Sequence, residues 1–398
     1  MCQTIDRPES VIRKKSINRP ESGIRHFPLM CFMLGSILIL QANFITKSAA
    51  SLDAASLDIP RLTAEDIVSP LEWTYPFAGH EFYRYKAKID KKIKAYRSKL
   101  TNTQHCEMPL FKGEFGYELA GIVPWAYYKA QDCQMTTVGR PGTKYLYYFS
   151  KEHSIQKSQG NEPQRSSHRL PKDSPFGESP HFHNDKFPTS GWVPPPYKNF
   201  FKMTNLKLDK PLLIISNKYT MEWDDGPINH IPFDSLFEIL KFLTPRYHIV
   251  YNRFKDPRLE DKLEVQLNKN GMSDIPPYHD KEMIKRFFPS VVFFEELSEN
   301  LDTDDVNLLM FALGAEAERF ISVQGGNSVI ASFFGGTNII HAVKGPEVNW
   351  KSDIGGDFSY YHRFSNATIR VEQSGKSFCR AVKEDFVEDQ QSVSQYCM

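Results

Sequence analysis

The sequence carries almost no net charge. Its 49 Lys and Arg stand against 48 Asp and Glu, a formal +1 over 398 residues. A chain so balanced lacks the cationic field expected of a protein whose main partner is nucleic acid. It also lacks cysteines at metal-ligand spacing: Cys2, Cys31, Cys106, Cys133, Cys379 and Cys397 are scattered, so no zinc site is expected. No Gly-x-x-Gly-x-Gly-Lys stretch follows an early strand, which argues against a P-loop transferase of the sulfotransferase kind. The one long apolar run, residues 27–40, falls short of the roughly 20 residues of a typical membrane span.

Hydrophobic residues make up 40% of the chain, enough for real cores, and the length predicts roughly two to three domains. Aromatic content is 13%, which suits sugar or base stacking but first of all an aromatic core. Residues 1–26 read as a disordered tail in which Ile5-Asp6-Arg7-Pro8-Glu9-Ser10 returns as Ile17-Asn18-Arg19-Pro20-Glu21-Ser22. Arg13, Lys14, Lys15, Arg19 and Arg25 precede the apolar residues 27–45, a flank that stays cytoplasmic and sends the rest across the membrane. Residues 27–45 are either a signal anchor, giving a type II protein of the Golgi or endoplasmic reticulum membrane, or a cleaved signal peptide of a secreted one. Ser48-Ala49-Ala50 would be the cleavage site. Both readings put the rest in a lumen. There Asn366-Ala367-Thr368 is a glycosylation sequon, and Cys106 would bond Cys133 and Cys379 would bond Cys397, each pair being close in the chain. Reduced, buried cysteines are the alternative.

Residues 46–104 read as a stem and helical lead-in. Ile89, Ile93 and Tyr96 mark one face of a helix over 82–100, and its lysines mark the solvated face. An N-terminal, acceptor-side domain is expected over 105–205 and a C-terminal, donor-side domain over 206–398. A strand at 108–111 leads into Lys112-Gly113-Glu114-Phe115-Gly116-Tyr117-Glu118-Leu119 and a helix through Ile122, Trp125 and Tyr128. Strand, glycine loop and helix open a Rossmann-like unit, and Pro124 predicts a kink or a late helix start. Residues 150–196 read as a long solvated loop; His181 and His183 raise a metal reading that no acidic cluster completes. From residue 211 the pattern alternates: strands at 212–216, 248–251 and 291–294, with helices at 233–243 and 304–313. That predicts α/β architecture with a parallel sheet covered on both faces. Asp302, Asp304 and Asp305 read as helix caps, and Trp223 as loop packing beside Glu222, Asp224 and Asp225.

Residues 320–341 concentrate the signal: a strand at 321–323, a turn at Gln324-Gly325-Gly326, a short helix at 328–334 capped by Asn327 or Ser328, and a strand at 338–341. Free N–H groups and the helix dipole at such a start form an anion site.

The two glycine loops resemble those of GT-B glycosyltransferases, and more narrowly of the fucosyltransferase-like group that includes protein O-fucosyltransferases. Gly113-Glu114-Phe115-Gly116-Tyr117-Glu118-Leu119 is similar to the group's opening Gly-x-x-Gly-Asn-x-Leu loop, with Tyr117 in place of Asn. Gln324-Gly325-Gly326-Asn327-Ser328 is similar to its donor-side Gly-x-x-x-Ser-Ser loop. The resemblance implies two Rossmann-like domains facing a cleft and a sugar moved from a nucleotide-sugar to a glycan or protein hydroxyl. It further implies a mechanism needing no metal or cofactor. Gln324, Gly325, Gly326, Asn327 and Ser328 would hold the diphosphate; Gly113, Gly116 and Tyr117 would form the acceptor loop. Lys218, in Ser216-Asn217-Lys218, stands where the group has an arginine and would stabilise the leaving phosphate. Glu118, then Glu114, would serve as base; for Glu118 a helix-capping role is the alternative. A luminal carbohydrate-binding or inactive GT-B-like protein is the competing reading.

Overall fold

The computed structural model describes residues 73–111, 115–156, 194–204, 206–220, 226–253, 278–345, 348 and 365–387, all within one compact unit, Ala64–Met398. The tail, the apolar run with its basic flank, most of the stem, the Lys112-Gly113-Glu114 triplet and most of the 150–196 loop lie outside the described residues. So do Glu222, Trp223, Asp224, Asp225 and Cys397. Among the described residues no helix is long and apolar enough to cross a membrane.

The architecture is α/β with two parallel sheets, compatible with a Rossmann-like fold. Helix α1, Gly79–Ser98, comes first. It buries Phe82, Tyr85, Ile89 and Ile93, the stripe expected from the spacing. Strands β1 (His105–Met108), β2 (Gln134–Gly139) and β3 (Glu152–Ile155) then pair in parallel in that order. β1 ends where a strand was expected to begin. Pro109 has no N–H to give a ladder, so pairing stops at Met108. Between β1 and β2 run a short helical turn, Phe115–Tyr117, a π-helical stretch, Glu118–Ile122, and α2, Val123–Lys129. The expected disturbance at Pro124 is therefore a widened turn. Proline cannot donate to the carbonyl four residues back and its ring crowds that carbonyl, and one wide turn relieves both.

After α3, Tyr197–Phe201, comes the larger sheet. Its strands are β4 (Leu212–Ser216), β5 (His248–Asn252), β6 (Val292–Phe293), β7 (Arg319–Val323), β8 (Thr337–His341) and β9 (Thr368–Glu372). All neighbours pair in parallel, in the order β6-β5-β4-β7-β8-β9. Helices α4 (Phe233–Leu243), α5 (Asp280–Phe287), α6 (Phe294–Ser298), α7 (Thr303–Glu316), α8 (Gly326–Phe333) and α9 (Gly375–Phe386) connect and cover the strands. Both faces are dry, which is why β4 and β5 are buried at every position. Along β4, Leu213 and Ile215 face a core with α4 and α9, while Leu212 and Ile214 face the core shared with α1, α2 and the smaller sheet. In that second core Tyr197 stacks on Phe311 at 5.0 Å and Tyr148 on Phe200 at 3.8 Å. Much of the aromatic content is thus core, cementing the small sheet to α3 and α7.

Cys106 is bonded to Cys133, with Cα atoms 5.9 Å apart, so β1 is tied to the residue that precedes β2. Cys379 is buried on α9. Closing a loop across 27 residues of separation restricts the unfolded chain, worth about 3–4 kcal/mol for that length. A Cys106→Ala/Cys133→Ala variant should lose about that much in urea denaturation.

Candidate active site

In the larger sheet the chain leaves β4 for β5 and β6, then returns to lay β7 on the other side of β4. Successive connections therefore diverge between β4 and β7, and the crevice of such a sheet lies outside their carboxyl ends. Open α/β sheets bind ligands at this switch point. The two loops that end there are Asn217-Lys218 after β4 and Gln324-Gly325-Gly326 after β7.

The second loop is shaped by glycine. Gly325 has φ +128° and ψ −169°, a region open essentially only to glycine. A Cβ there would stand 3.7 Å from the Lys218 Nζ, so the ammonium lies against this turn. α8 begins one residue later. Its cap is Gly325 with no side-chain hydrogen bond, where capping by Asn327 or Ser328 was expected. The Ser328 hydroxyl instead donates to the Gly325 carbonyl at 2.7 Å, and the Ser328 amide donates to the same oxygen at 3.0 Å. Ser328 is fully buried and closes the turn. The Gln324 amide donates to the His341 carbonyl on β8 at 3.1 Å, and its side chain is buried. Asn327 is exposed at the helix start. The leading amides of α8 have no acceptor within their own helix.

The other sheet delivers its loop to the same place. A Cβ on Gly326 would meet the Phe115 ring at 3.4 Å, Leu119 at 3.7 Å and the Gly116 Cα at 3.9 Å; one on Gly116 would meet the Gly326 amide nitrogen at 3.9 Å. The segment after β1 thus lies backbone against backbone on the start of α8. Gly116, Gly325, Gly326 and Lys218 come together. Tyr117 belongs to the same helical turn, while Gly113 and Glu114 lie outside the described residues.

Glu118 is not open to this crevice. It is buried, accepting from the Arg140 guanidinium at 2.8 Å and from the Tyr147 hydroxyl at 2.8 Å. Burial and the Glu118 charge raise the Tyr147 phenol well above its ordinary value, so it stays a donor. Arg140 follows β2 directly, and its carbonyl accepts from Thr143 at 2.7 Å. The Thr143 oxygen in turn lies 3.1 Å from His153 Nε2, and His153 Nδ1 lies 2.8 Å from Thr137 Oγ1. With the Thr143 proton given to Arg140, this chain assigns a neutral imidazole that donates from Nε2.

A second network, which sequence reasoning did not anticipate, fixes Lys218. Asn217 is buried. Its carbonyl oxygen accepts from the amides of Lys218 at 2.9 Å and Ile231 at 3.0 Å, while its nitrogen donates to Tyr251 at 3.0 Å and Tyr278 at 3.3 Å. Tyr251 donates to Asp280 at 2.5 Å, and Arg253 Nε sits 2.6 Å from the same carboxylate. Arg253 is the first residue past β5, a position visible once the strand's end at Asn252 is known. Asp302 caps α7 by accepting from the Asp305 amide at 2.8 Å, and Asp305 pairs with Lys86 at 2.6 Å, which makes structural residues of both. No protein-family model matches the chain, and a search of curated proteins found no match.

Removing the Glu118 carboxylate takes away the acceptor of the buried Tyr147 hydroxyl, and a buried donor left unmet costs about 1–3 kcal/mol. Glu118→Ala should therefore lower the urea midpoint, and Glu118→Ala/Tyr147→Phe should recover part of the loss.

A pH effect follows from two histidines. Burial, helped by the Arg97 charge, pushes the His153 ring down to about 4, and burial with the neighbouring His230 pushes His341 down to about 4. Unfolded, each returns to roughly 6.5. Their contribution is complete above that value and is lost as pH falls toward 4, because the unfolded chain then binds the extra protons. Together they should cost about 3 kcal/mol between pH 7.5 and pH 5.5, read from urea midpoints at the two pH values.

Proposed function

We propose that the chain is a nucleotide-sugar-dependent glycosyltransferase of the GT-B kind, with the C-terminal sheet holding the donor and the segment after β1 bordering the acceptor. The observation that carries the reading is the meeting of three elements at one crevice: the Lys218 ammonium on the Gly325 turn, the leading amides of α8, and the Gly116 segment. In this reading the diphosphate lies at the start of α8. The acceptor hydroxyl oxygen attacks the anomeric carbon as the bond from that carbon to the diphosphate oxygen breaks. Lys218 and the amides of Gly326 and Asn327 then meet the negative charge left on the phosphate. Lysine serves as a point charge without the fork of an arginine. The acceptor's proton needs a base. Glu118 is held by Arg140 and Tyr147, which suits a residue that positions the loop, so Glu114 is the carboxylate left on that loop for the task. The N-terminal segment would anchor the enzyme in a Golgi or endoplasmic reticulum membrane with this unit in the lumen.

The enclosure of Glu118 also favours a second reading, a luminal carbohydrate-binding protein of the same architecture without turnover. Nucleotide binding separates the two. Thermal-shift titration with GDP, UDP and CMP should show one that stabilises the chain, and Lys218→Ala should weaken it about 10- to 100-fold, the range of one hydrogen bond to a charged group. If none shifts the melting temperature at millimolar concentration, the transferase reading fails and the binding protein stands.

A further inference from the structure

We propose that the outer face of α1 binds an acidic glycan, a chain bearing carboxylates or sulfates. The helix holds seven basic residues against two acidic ones, Glu81 and Asp90, a net +5 in a chain whose total is +1. The charge is one-sided. Arg84, Lys88, Lys91, Lys92, Lys94 and, just past the helix, Lys99 are all exposed; Arg84, Lys88, Lys91 and Lys94 fall on the side away from the buried Phe82, Tyr85, Ile89 and Ile93, while Lys92 flanks that stripe. Asp90 is turned to Lys144 at 3.0 Å, off this face, and Glu81 pairs with Arg84 at 2.9 Å near the helix start. Lys92 donates to the Phe200 carbonyl at 2.6 Å. Among the described residues no acidic side chain pairs with Lys88, Lys91, Lys94 or Lys99.

The geometry selects the occupant. At about 1.5 Å of rise per residue, Arg84, Lys88, Lys91 and Lys94 form a row of cations roughly 5 Å apart along some 15 Å. That is a line of charge for a linear polyanion. The apolar face of α1 is already in the core, so a bilayer could not be entered and would be held only through anionic headgroups, an occupant that the vesicle comparison below separates. Between the lysines stand only small residues, Ala87 and Ala95. At the near end Tyr83 and Tyr75 are exposed, at 48% and 64%, and offer ring faces for sugar stacking. That this glycan is also the acceptor rests on the transferase reading; that the face holds it does not.

The test uses the full chain in detergent, with heparin as the probe. Wild type should be retained on a heparin column and released by salt, with neutral dextran failing to compete. The Lys88→Glu/Lys91→Glu/Lys94→Glu variant, changed only at exposed positions, should bind soluble heparin at least tenfold more weakly while keeping its wild-type melting temperature and nucleotide response. The proposal is overturned if wild type passes through the column or if the variant binds as wild type does. It is also overturned if the triple change instead abolishes only a preference for phosphatidylserine-containing over phosphatidylcholine vesicles. Loss of nucleotide binding with heparin retention intact would count against the transferase and leave this surface standing.

Discussion

The structure turns on a contact between two residues that have no side chains. Gly116, after the first strand of the small sheet, lies on Gly326, the first residue of α8 in the large one. A Cβ on either glycine would stand 3.9 Å from the other's backbone, so the two segments lie at ordinary van der Waals distance with no side chain between them. The contact seats Phe115 and Leu119 over the glycine turn and brings the carboxyl end of β1 to the switch point between β4 and β7. Two other features can be understood as serving it. The π-helical turn at Glu118–Ile122 relieves Pro124 without moving the loop off α8. The Glu118–Arg140–Tyr147 cluster ties the same turn to the end of β2. A buried ion pair adds little net stability, but it permits few geometries, and here that restriction falls on the segment bordering the crevice.

Polar groups just past β4 and β2 follow a common plan. A buried side chain satisfies the backbone of a loop, and the loop presents a cation. Asn217 uses all four of its usual hydrogen-bonding positions on two amides and two tyrosines, which leaves the chain little freedom at Lys218. His153 does the same at one remove, through Thr143 to the Arg140 carbonyl. Both devices work only when dry. Burial keeps the tyrosines as donors and the imidazole neutral, so the networks that orient the cations do not themselves titrate near neutrality. Acid reaches them through unfolding, where the histidines regain their ordinary affinity for protons.

Much of the large sheet was legible in the sequence because its strands are buried on both faces and read as short unbroken apolar runs. The strand at 212–216 and the helix at 233–243 were placed to the residue, the helix by its stop before Pro245. The small sheet was not. β2 and β3 alternate or lie exposed, and such four- to six-residue segments carry no run to find. The registers of Tyr145, Tyr147 and Tyr148, all buried between those strands, follow no helical or strand period because tertiary packing places them. At the site, the glycine positions were legible, since a turn's chemistry is local. Ser328, expected to hold a diphosphate, gives its hydroxyl to the Gly325 carbonyl, and Glu118, expected as a base with a capping role as the alternative, is buried against Arg140 and Tyr147. The Ser328 partner is three residues away, but the Glu118 partners are invisible in one dimension: Arg140 is 22 residues along the chain.

The two sheets differ in what holds them together, and that difference bears on how the crevice could work. The large sheet has its own helices on both faces and two dry cores. The small one has three strands, a disulfide at its base, and the aromatic cluster it shares with α3 and α7. A three-stranded sheet with so little of its own core gains its stability by leaning on the larger one. Its position is then set by the shared aromatic packing and by the Gly116–Gly326 approach, not by a hinge between independent bodies. Any opening of the crevice must therefore come from loops at the carboxyl ends of the strands, since parting the sheets would expose the aromatic core that joins them.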